Sequence, residues 1–315
     1  SQLDTAVRCM QLGAFDYYIK TDEEDRIVGW VQRAIRMLEL RRENLEVKNR
    51  LVSGGAQHPE AFTSIITRSW AMHGVFAYIE AVAKSPQPLL VSGESGVGKE
   101  NLVAAAHAIS GREGLLVAVN VAGLDDAVFA DTLFGHVRGA YTGANTPRKG
   151  MIEEAAGGTL FLDEIGELAP EMQSKLLQVL EENSFERVGE ASPIGVDIRV
   201  LSATNIDLAT AMDEGRLRRD LYYRLGSVVL RMPPLRERKN DIPLFVEHFV
   251  KQFAKEYEIT PPKLTRSVME ALHEHPWPGN TRELRNVVSR LLLQTLDGPI
   301  TESFVAEALH LWKTP

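Results

Sequence analysis

The sequence predicts an α/β fold, a parallel sheet flanked by helices, followed by a smaller all-helical unit. Three observations carry this. Between about Phe62 and Met232, short apolar runs alternate with segments of helical spacing, the pattern of a parallel sheet with crossover helices. Pro233-Pro234 then interrupts the chain, and every patterned segment beyond it is helical. One of the apolar runs leads straight into a glycine-rich octet that opens a helix.

From the N-terminus, residues 1–40 read as the end of a domain whose start lies elsewhere. Ala6, Met10 and Leu12 fit one helix face, Gly13 ends it, and Phe15-Asp16-Tyr17-Tyr18-Ile19 reads as a short strand. Two such elements cannot bury a core alone. A helix is expected from about Asp25 to near Val52. Val31, Leu38, Leu45 and Val52 suit a coiled-coil seam, while the companion positions Ile27, Ala34, Arg41 and Lys48 lose apolar character, as on an ordinary surface helix. Residues 41–61 form a helical linker closed by Ser53-Gly54-Gly55-Ala56-Gln57-His58-Pro59. The α/β unit, 62–232, has candidate strands at 89–92, 115–119, 159–162, 196–201 and 227–231. Met172, Leu176, Val179 and Leu180 keep helical spacing between them. The all-helical unit, 233–315, has expected helices at 242–257, 265–275, 281–295 and 303–312.

Composition narrows the function. Against 35 Lys and Arg stand 43 Asp and Glu, a net charge of −8, so direct nucleic-acid binding is not the expected main task. The single cysteine, Cys9, excludes an internal disulfide and a cysteine metal cluster. No stretch reads as a membrane span or signal peptide, and a cytoplasmic location is the expectation.

The octet Gly93-Glu94-Ser95-Gly96-Val97-Gly98-Lys99-Glu100 follows Pro88-Leu89-Leu90-Val91-Ser92. Glycines there let backbone N–H groups wrap a polyphosphate at a helix N-terminus, and Lys99 can reach its outer phosphates. Glu100 stands where a magnesium-binding hydroxyl is usual. A second apolar run, Gly157-Gly158-Thr159-Leu160-Phe161-Leu162, ends in Asp163-Glu164. Asp163 suits Mg2+, and Glu164 suits orienting and deprotonating an attacking water. A third ends at Asn205, which can sense the outer phosphate or hold that water; alone, such an Asn reads as a cap or turn residue.

A phosphate loop, an acidic strand end, a polar strand end and a trailing helical unit together resemble an AAA+ ATPase. Within that class, Leu133-Phe134-Gly135-His136-Val137-Arg138-Gly139-Ala140-Tyr141-Thr142-Gly143-Ala144 resembles the signature loop of sigma-54-dependent transcription activators, with Tyr141 in place of the commoner Phe. The resemblance covers about residues 62–315, and Glu100 agrees with that family's own form of the phosphate loop. It implies that ATP and Mg2+ are bound at residues 93–100, with Arg282 as a sensor from the lid. It implies that Arg218 and Arg224 act as arginine fingers toward a neighbouring subunit of a ring, with a hexamer expected. Asn120 matches the position that holds the catalytic glutamate in an inactive pose, and Phe185-Glu186-Arg187-Val188-Gly189 a second pore-side loop. Gly139, Ala140, Tyr141, Thr142, Gly143 and Ala144 would contact sigma-54 on its RNA polymerase. Residues 12–20 resemble the end of a response-regulator receiver domain, with Lys20 at its lysine position and Thr21 in place of the usual proline. DNA is expected to be bound only through a C-terminal domain beyond Pro315, and no membrane is involved. The competing readings are another AAA+ remodelling ATPase and a nucleotide-binding regulatory module without turnover.

Overall fold

The computed structural model describes residues 56–123, 126–294 and 302–310. The expected receiver remnant and the candidate coiled-coil positions lie outside the described residues. Among the described residues, no helix is long and apolar enough to cross a membrane.

The chain enters through a single 3-10 turn, Pro59–Phe62, and α1 (Trp70–Val82). The α/β unit is then built from β1 (Leu89–Ser92), α2 (Lys99–Ser110), β2 (Leu116–Asn120), α3 (Asp126–Phe134), β3 (Gly135–His136), β4 (Arg148–Lys149) and α4 (Met151–Glu154). It continues through β5 (Thr159–Asp163), α5 (Pro170–Glu182), β6 (Ser184–Phe185), β7 (Ile194–Gly195), β8 (Arg199–Thr204), α6 (Leu208–Asp213), α7 (Arg219–Leu225) and β9 (Val228–Arg231). Five strands form one parallel sheet in the order β2-β5-β8-β1-β9. From the adjacent strands β1 and β8 the chain leaves in opposite directions, toward β2 and toward β9. That topology opens a crevice at the carboxyl ends of the strands.

Both faces of the sheet are covered, and the period of two decides which side chain goes where. Leu160, Leu162 and Val200 pack on one face against Leu133 of α3 and Met172 and Leu176 of α5. Phe161, Leu201 and Ala203 pack on the other against Met72 and Ile79 of α1 and Leu102 and Val103 of α2. The fourth main strand lies three residues later than the sequence pattern suggests, 199–204 instead of 196–201. Val196-Asp197-Ile198 alternates like a strand, but Val196 N–H instead donates to Asn183 O, beside the short β6–β7 hairpin. Ser202-Ala203-Thr204 is wholly buried between β5 and β1, where small residues fit a strand enclosed on both faces. The other four strands agree with expectation to within one residue at either end.

The lid comprises α8 (Ile242–Glu256), α9 (Arg266–Glu274), α10 (Asn280–Gln294) and α11 (Glu302–His310). Phe245, Val246 and Val250 of α8 meet Val287, Val288, Leu291 and Leu292 of α10 in its own core, with Trp277 fully buried beside them. The segment ahead of α1 also meets the lid. Ile66 packs on the lid core, and the buried Asp241 accepts from Thr67 Oγ1 at 2.6 Å and Arg68 N at 2.7 Å.

At the far end of β8, the buried Arg199 gives its guanidinium to the carbonyls of Val82, Ala83 and Gln87, tying the C-terminus of α1 to the sheet. Such groups are costly to leave unpaired. Arg199→Leu is expected to lower stability by about 1–3 kcal/mol. The check is a reduced urea midpoint at unchanged slope.

Candidate functional site

At the end of β1 the chain turns through residues 93–98 and enters α2 at Lys99. Gly98 caps that helix in the left-handed region at φ 101, which glycine adopts without strain. Val97 is buried in the core beneath the turn, so the loop is anchored from below. Lys99 is 7% exposed, and its Nζ donates to Gly93 O at 2.9 Å, folded back over the loop.

The acidic strand end comes to the same place. β5 delivers Asp163 and Glu164 opposite Lys99, with Glu164 Oε1 at 3.8 Å from the Lys99 ammonium. Glu164 has φ 56 and ψ 43, a left-handed conformation uncommon for a side chain of this size and a mark of stored backbone strain. Asp163 Oδ1 accepts the Glu164 N–H at 3.0 Å. Glu164 Oε2 accepts the backbone N–H of Asn205 at 3.1 Å, so β8 orients the carboxylate. Burial pushes the Glu164 carboxyl above its ordinary pKa, with Lys99 opposing and Asp163 adding to the rise. A carboxylate so perturbed is the better proton acceptor.

A cleft of about 420 Å³ is lined by Ser95, Gly96, Gly98, Lys99, Glu100, Asp163 and Glu164 from the α/β unit, and by Phe249, Thr281, Arg282 and Arg285 from the lid. Among the described residues no group of three metal-ligating side chains exists. Asp163 beside a phosphate-binding loop fits Mg2+, which takes one or two carboxylates, several waters and substrate phosphate oxygens instead of an all-protein cage.

Asn120 ends β2 in register with Asp163, and its Oδ1 accepts Ala122 N–H at 2.9 Å. Arg218 and Arg224 do not line the cleft. Arg218 is exposed, pairs with Asp220 at 2.7 Å and donates to Ser174 Oγ at 2.8 Å. Arg224 donates to Leu180 O at 2.6 Å. The loop 139–144 projects between β3 and β4, far along the chain from the cleft. Gly139 N–H donates to Ala144 O at 2.8 Å and Ala144 N–H to Tyr141 O at 3.0 Å, closing a small tip. Tyr141, Thr142 and Gly143 are exposed on it; Ala144 is buried. The Tyr141 ring leans edge-on over His136 at 5.1 Å, and His136 is itself held by Asp131 and Thr146 O. Ala140 lies against Gly189, where an added Cβ would come within 2.7 Å, so the two loops touch.

Sequence reasoning picked out Arg282 but missed how the lid grips the phosphate loop. Thr281 donates to Gly96 O through both N–H, at 3.1 Å, and Oγ1, at 2.5 Å. The buried Asn280 gives Nδ2 to Ser95 O at 3.0 Å and to Glu94 Oε2 at 3.1 Å, while its Oδ1 accepts Leu235 N–H. Arg282 reaches Ser95 Oγ at 3.0 Å. Arg236 forms a two-pronged bridge to Glu94, which lowers the Glu94 pKa, and the buried Arg238 donates to Val97 O at 2.7 Å. The available signal was the run of positively placed polar residues beside Pro233-Pro234 and Pro278-Gly279, two chain reversals that need an anchor.

Comparison with known proteins gives the relatives of this arrangement. Residues 65–231 match the family described as "Sigma-54 interaction domain", and residues 236–311 the "AAA+ ATPase lid domain". The chain is 43% identical over 277 residues to the Nif-specific regulatory protein of Herbaspirillum seropedicae, covering 88% of this chain and 51% of that one. It is 39% identical over 318 residues to the DNA-binding transcriptional regulator NtrC of Escherichia coli, covering 98% and 66%. The chain thus spans between half and two thirds of the length of these relatives. A crystal structure of NtrX from Brucella abortus in complex with ATP superposes with a TM-score of 0.71 at 34% identity, covering 99% of this chain and 70% of that one.

Gly96 has φ +76, and a Cβ there would meet Gly279 O at 2.5 Å. Gly96→Ala is therefore expected to strain the loop or push the lid away, at about 1–3 kcal/mol. ATP binding measured by calorimetry should weaken by about 5- to 100-fold. Gly74→Ala, in open space on α1, should leave it unchanged.

Proposed function

The chain belongs to the sigma-54 interaction family of AAA+ ATPases, and on that premise we propose that it hydrolyses ATP between the subunits of a ring and uses the resulting movement to remodel a sigma-54 RNA polymerase complex. The observation that carries the hydrolytic reading is Glu164, held by a left-handed backbone and the Asn205 N–H within 3.8 Å of Lys99.

In this reading the amides of residues 93–98, Lys99 and Arg282 hold the phosphates of ATP, and Lys99 exchanges its carbonyl partners for them. Glu94 and Glu100 stand at the loop's two ends, the first tied to the lid and the second in the cleft. Asp163 holds Mg2+, which neutralises phosphate charge when bound. Water attacks the γ-phosphorus, the bond to the bridging β-phosphate oxygen breaks, and Glu164 takes the proton that the water gives up. Asn205, whose backbone N–H binds the same carboxylate, is suited to sense the γ-phosphate. Asn120, one register position from Glu164, is suited to hold the glutamate back before the ring is complete.

Arg218 and Arg224 lie away from their own subunit's cleft, which supports a role across a subunit boundary. Fingers of this kind contribute about 10³–10⁵ in rate. A hexameric ring is the assembly proposed. The exposed Tyr141-Thr142-Gly143 tip is suited to engage sigma-54, with Gly139, Ala140 and Ala144 shaping its base. Nucleotide state would reach the tip through β5 and the helices packed on it. DNA would be bound by a further domain of the full-length protein, and the cytoplasm is the setting for such a complex.

Thr142→Ala should keep ATPase activity within about twofold while open-complex formation by sigma-54 RNA polymerase is lost. Loss of both with assembly intact would remove the coupling role from the loop. A sigma-54 pull-down with a transition-state nucleotide analogue tests the partner, and absence of capture favours another remodelling ATPase. The raised Glu164 pKa makes a third expectation. As pH falls the carboxylate protonates early, so the acid limb of kcat/KM should lie above the ordinary carboxylate range and vanish in Glu164→Gln, whose residual rate should be pH-flat there.

A further inference from the structure

Gln173, on α5, is wholly buried, and its side-chain amide joins two separate stretches of backbone. Nε2 donates to Leu168 O at 2.7 Å and to Arg216 O at 2.6 Å, and Oε1 accepts the Arg218 N–H at 2.8 Å. This pattern fixes the orientation of the amide, since the reverse placement would set oxygen against two carbonyls and nitrogen against an N–H. Leu168 closes the 3-10 turn that begins at Glu164. Arg218 is the N-cap residue of α7. One side chain therefore bridges the turn behind the candidate base and the segment that presents Arg218.

The next residue on the same helix continues the contact, because Ser174 Oγ accepts from the Arg218 guanidinium at 2.8 Å. One turn and more further on, Leu180 O accepts from Arg224. Helix α5 thus carries both arginines, but only Gln173 holds the backbone from which one of them projects. A buried amide is costly unless fully bonded. An apolar residue would serve packing alone at least as well, so the three bonds call for a positional explanation.

We propose that Gln173 is a positioning residue for the arginine that this subunit offers to its neighbour: it sets the backbone of Arg218 at a fixed place relative to the turn behind Glu164. The inference rests on the reading above that Arg218 completes the neighbouring site. Misplacement of a reacting group by about 1 Å can lower a rate by roughly 10²-fold.

The test uses the 315-residue chain. Gln173→Met keeps the length of the side chain and removes its hydrogen bonds. It should lower kcat about 10- to 100-fold while KM and ATP affinity stay within about twofold, a split that a merely loosened core would not give. Ser174→Ala, which leaves the backbone bonds, should change kcat by less than about threefold. Mixed rings then locate the defect. Lys99→Ala subunits cannot hold phosphate but present an intact Arg218, so mixing them with Gln173→Met subunits should restore activity. Arg218→Ala subunits should not restore it. An unchanged kcat, failure of Lys99→Ala to restore, or restoration by Arg218→Ala would overturn the proposal. The pair Lys99→Ala with Arg218→Ala is the separate control. If that pair fails to restore activity, the trans reading itself is wrong and the proposal falls with it. Should Gln173→Met fail to assemble, Gln173→Glu, which keeps the acceptor for Arg218 N–H and loses both donors, goes through the same mixtures with the same criteria.

Discussion

The structure depends on one close contact, between the phosphate loop at Gly96 and the lid elbow Trp277-Pro278-Gly279-Asn280-Thr281. The lid has its own hydrophobic core, joined from outside the lid by the partly buried Ile66, so apolar burial does little to seat it over the end of β1. Its placement comes from polar groups: Thr281 on Gly96 O, Asn280 on Ser95 O, and Arg236 and Arg238 on the two ends of the loop. Each such bond contributes only about 0.5–1.5 kcal/mol net, somewhat more where charged. Their concentration on four consecutive loop residues, Glu94 to Val97, makes the loop and the elbow one unit. The elbow is itself held in an unusual shape, with Trp277 at φ 51 and Asn280 at φ 52. Trp277 Nε1 anchors it to Leu272 O, and the buried Glu283 accepts Gly279 N–H. A bound phosphate therefore meets a surface whose two halves are already joined.

From that junction the chemistry is set by strand ends. β1, β5 and β8 stop at one edge, so Lys99, Asp163, Glu164 and Asn205 arrive together although they span more than a hundred residues of chain. Of these four, Glu164, the proposed base, is the one with a left-handed backbone. α5 starts just behind that strained turn, passes beneath Arg218 and Arg224, and ends at the hairpin whose loop touches Ala140. A displacement at Glu164 thus has a packed, continuous route to the arginines and to the exposed tip at Tyr141-Thr142.

Much of this was legible from the sequence because it depends on local pattern. The glycines of residues 93–98, the Asp163-Glu164 strand end and the break at Pro233-Pro234 each announce a backbone conformation. The strand at 199–204 was partly hidden because Ser202, Ala203 and Thr204 are polar or small, and a strand enclosed on both faces need not alternate. Arg236, Arg238, Asn280 and Thr281 were hidden for a different reason. Nothing in the local pattern names their partners, which come from the return of the chain from residue 235 or 280 to residue 95. Gln173 was hidden in the same way, within a helix whose apolar spacing accounted for its neighbours and left the amide unexplained.

The central claim is that nucleotide is gripped by loop and lid as one unit, and backbone amide exchange tests it directly. With Mg-ATP added, the account predicts that amides of Gly96–Lys99 and of Thr281–Leu284 gain protection together and by similar factors, since Thr281 N–H bonds Gly96 O. Protection confined to the phosphate loop, with the start of α10 exchanging as fast as without nucleotide, would contradict it.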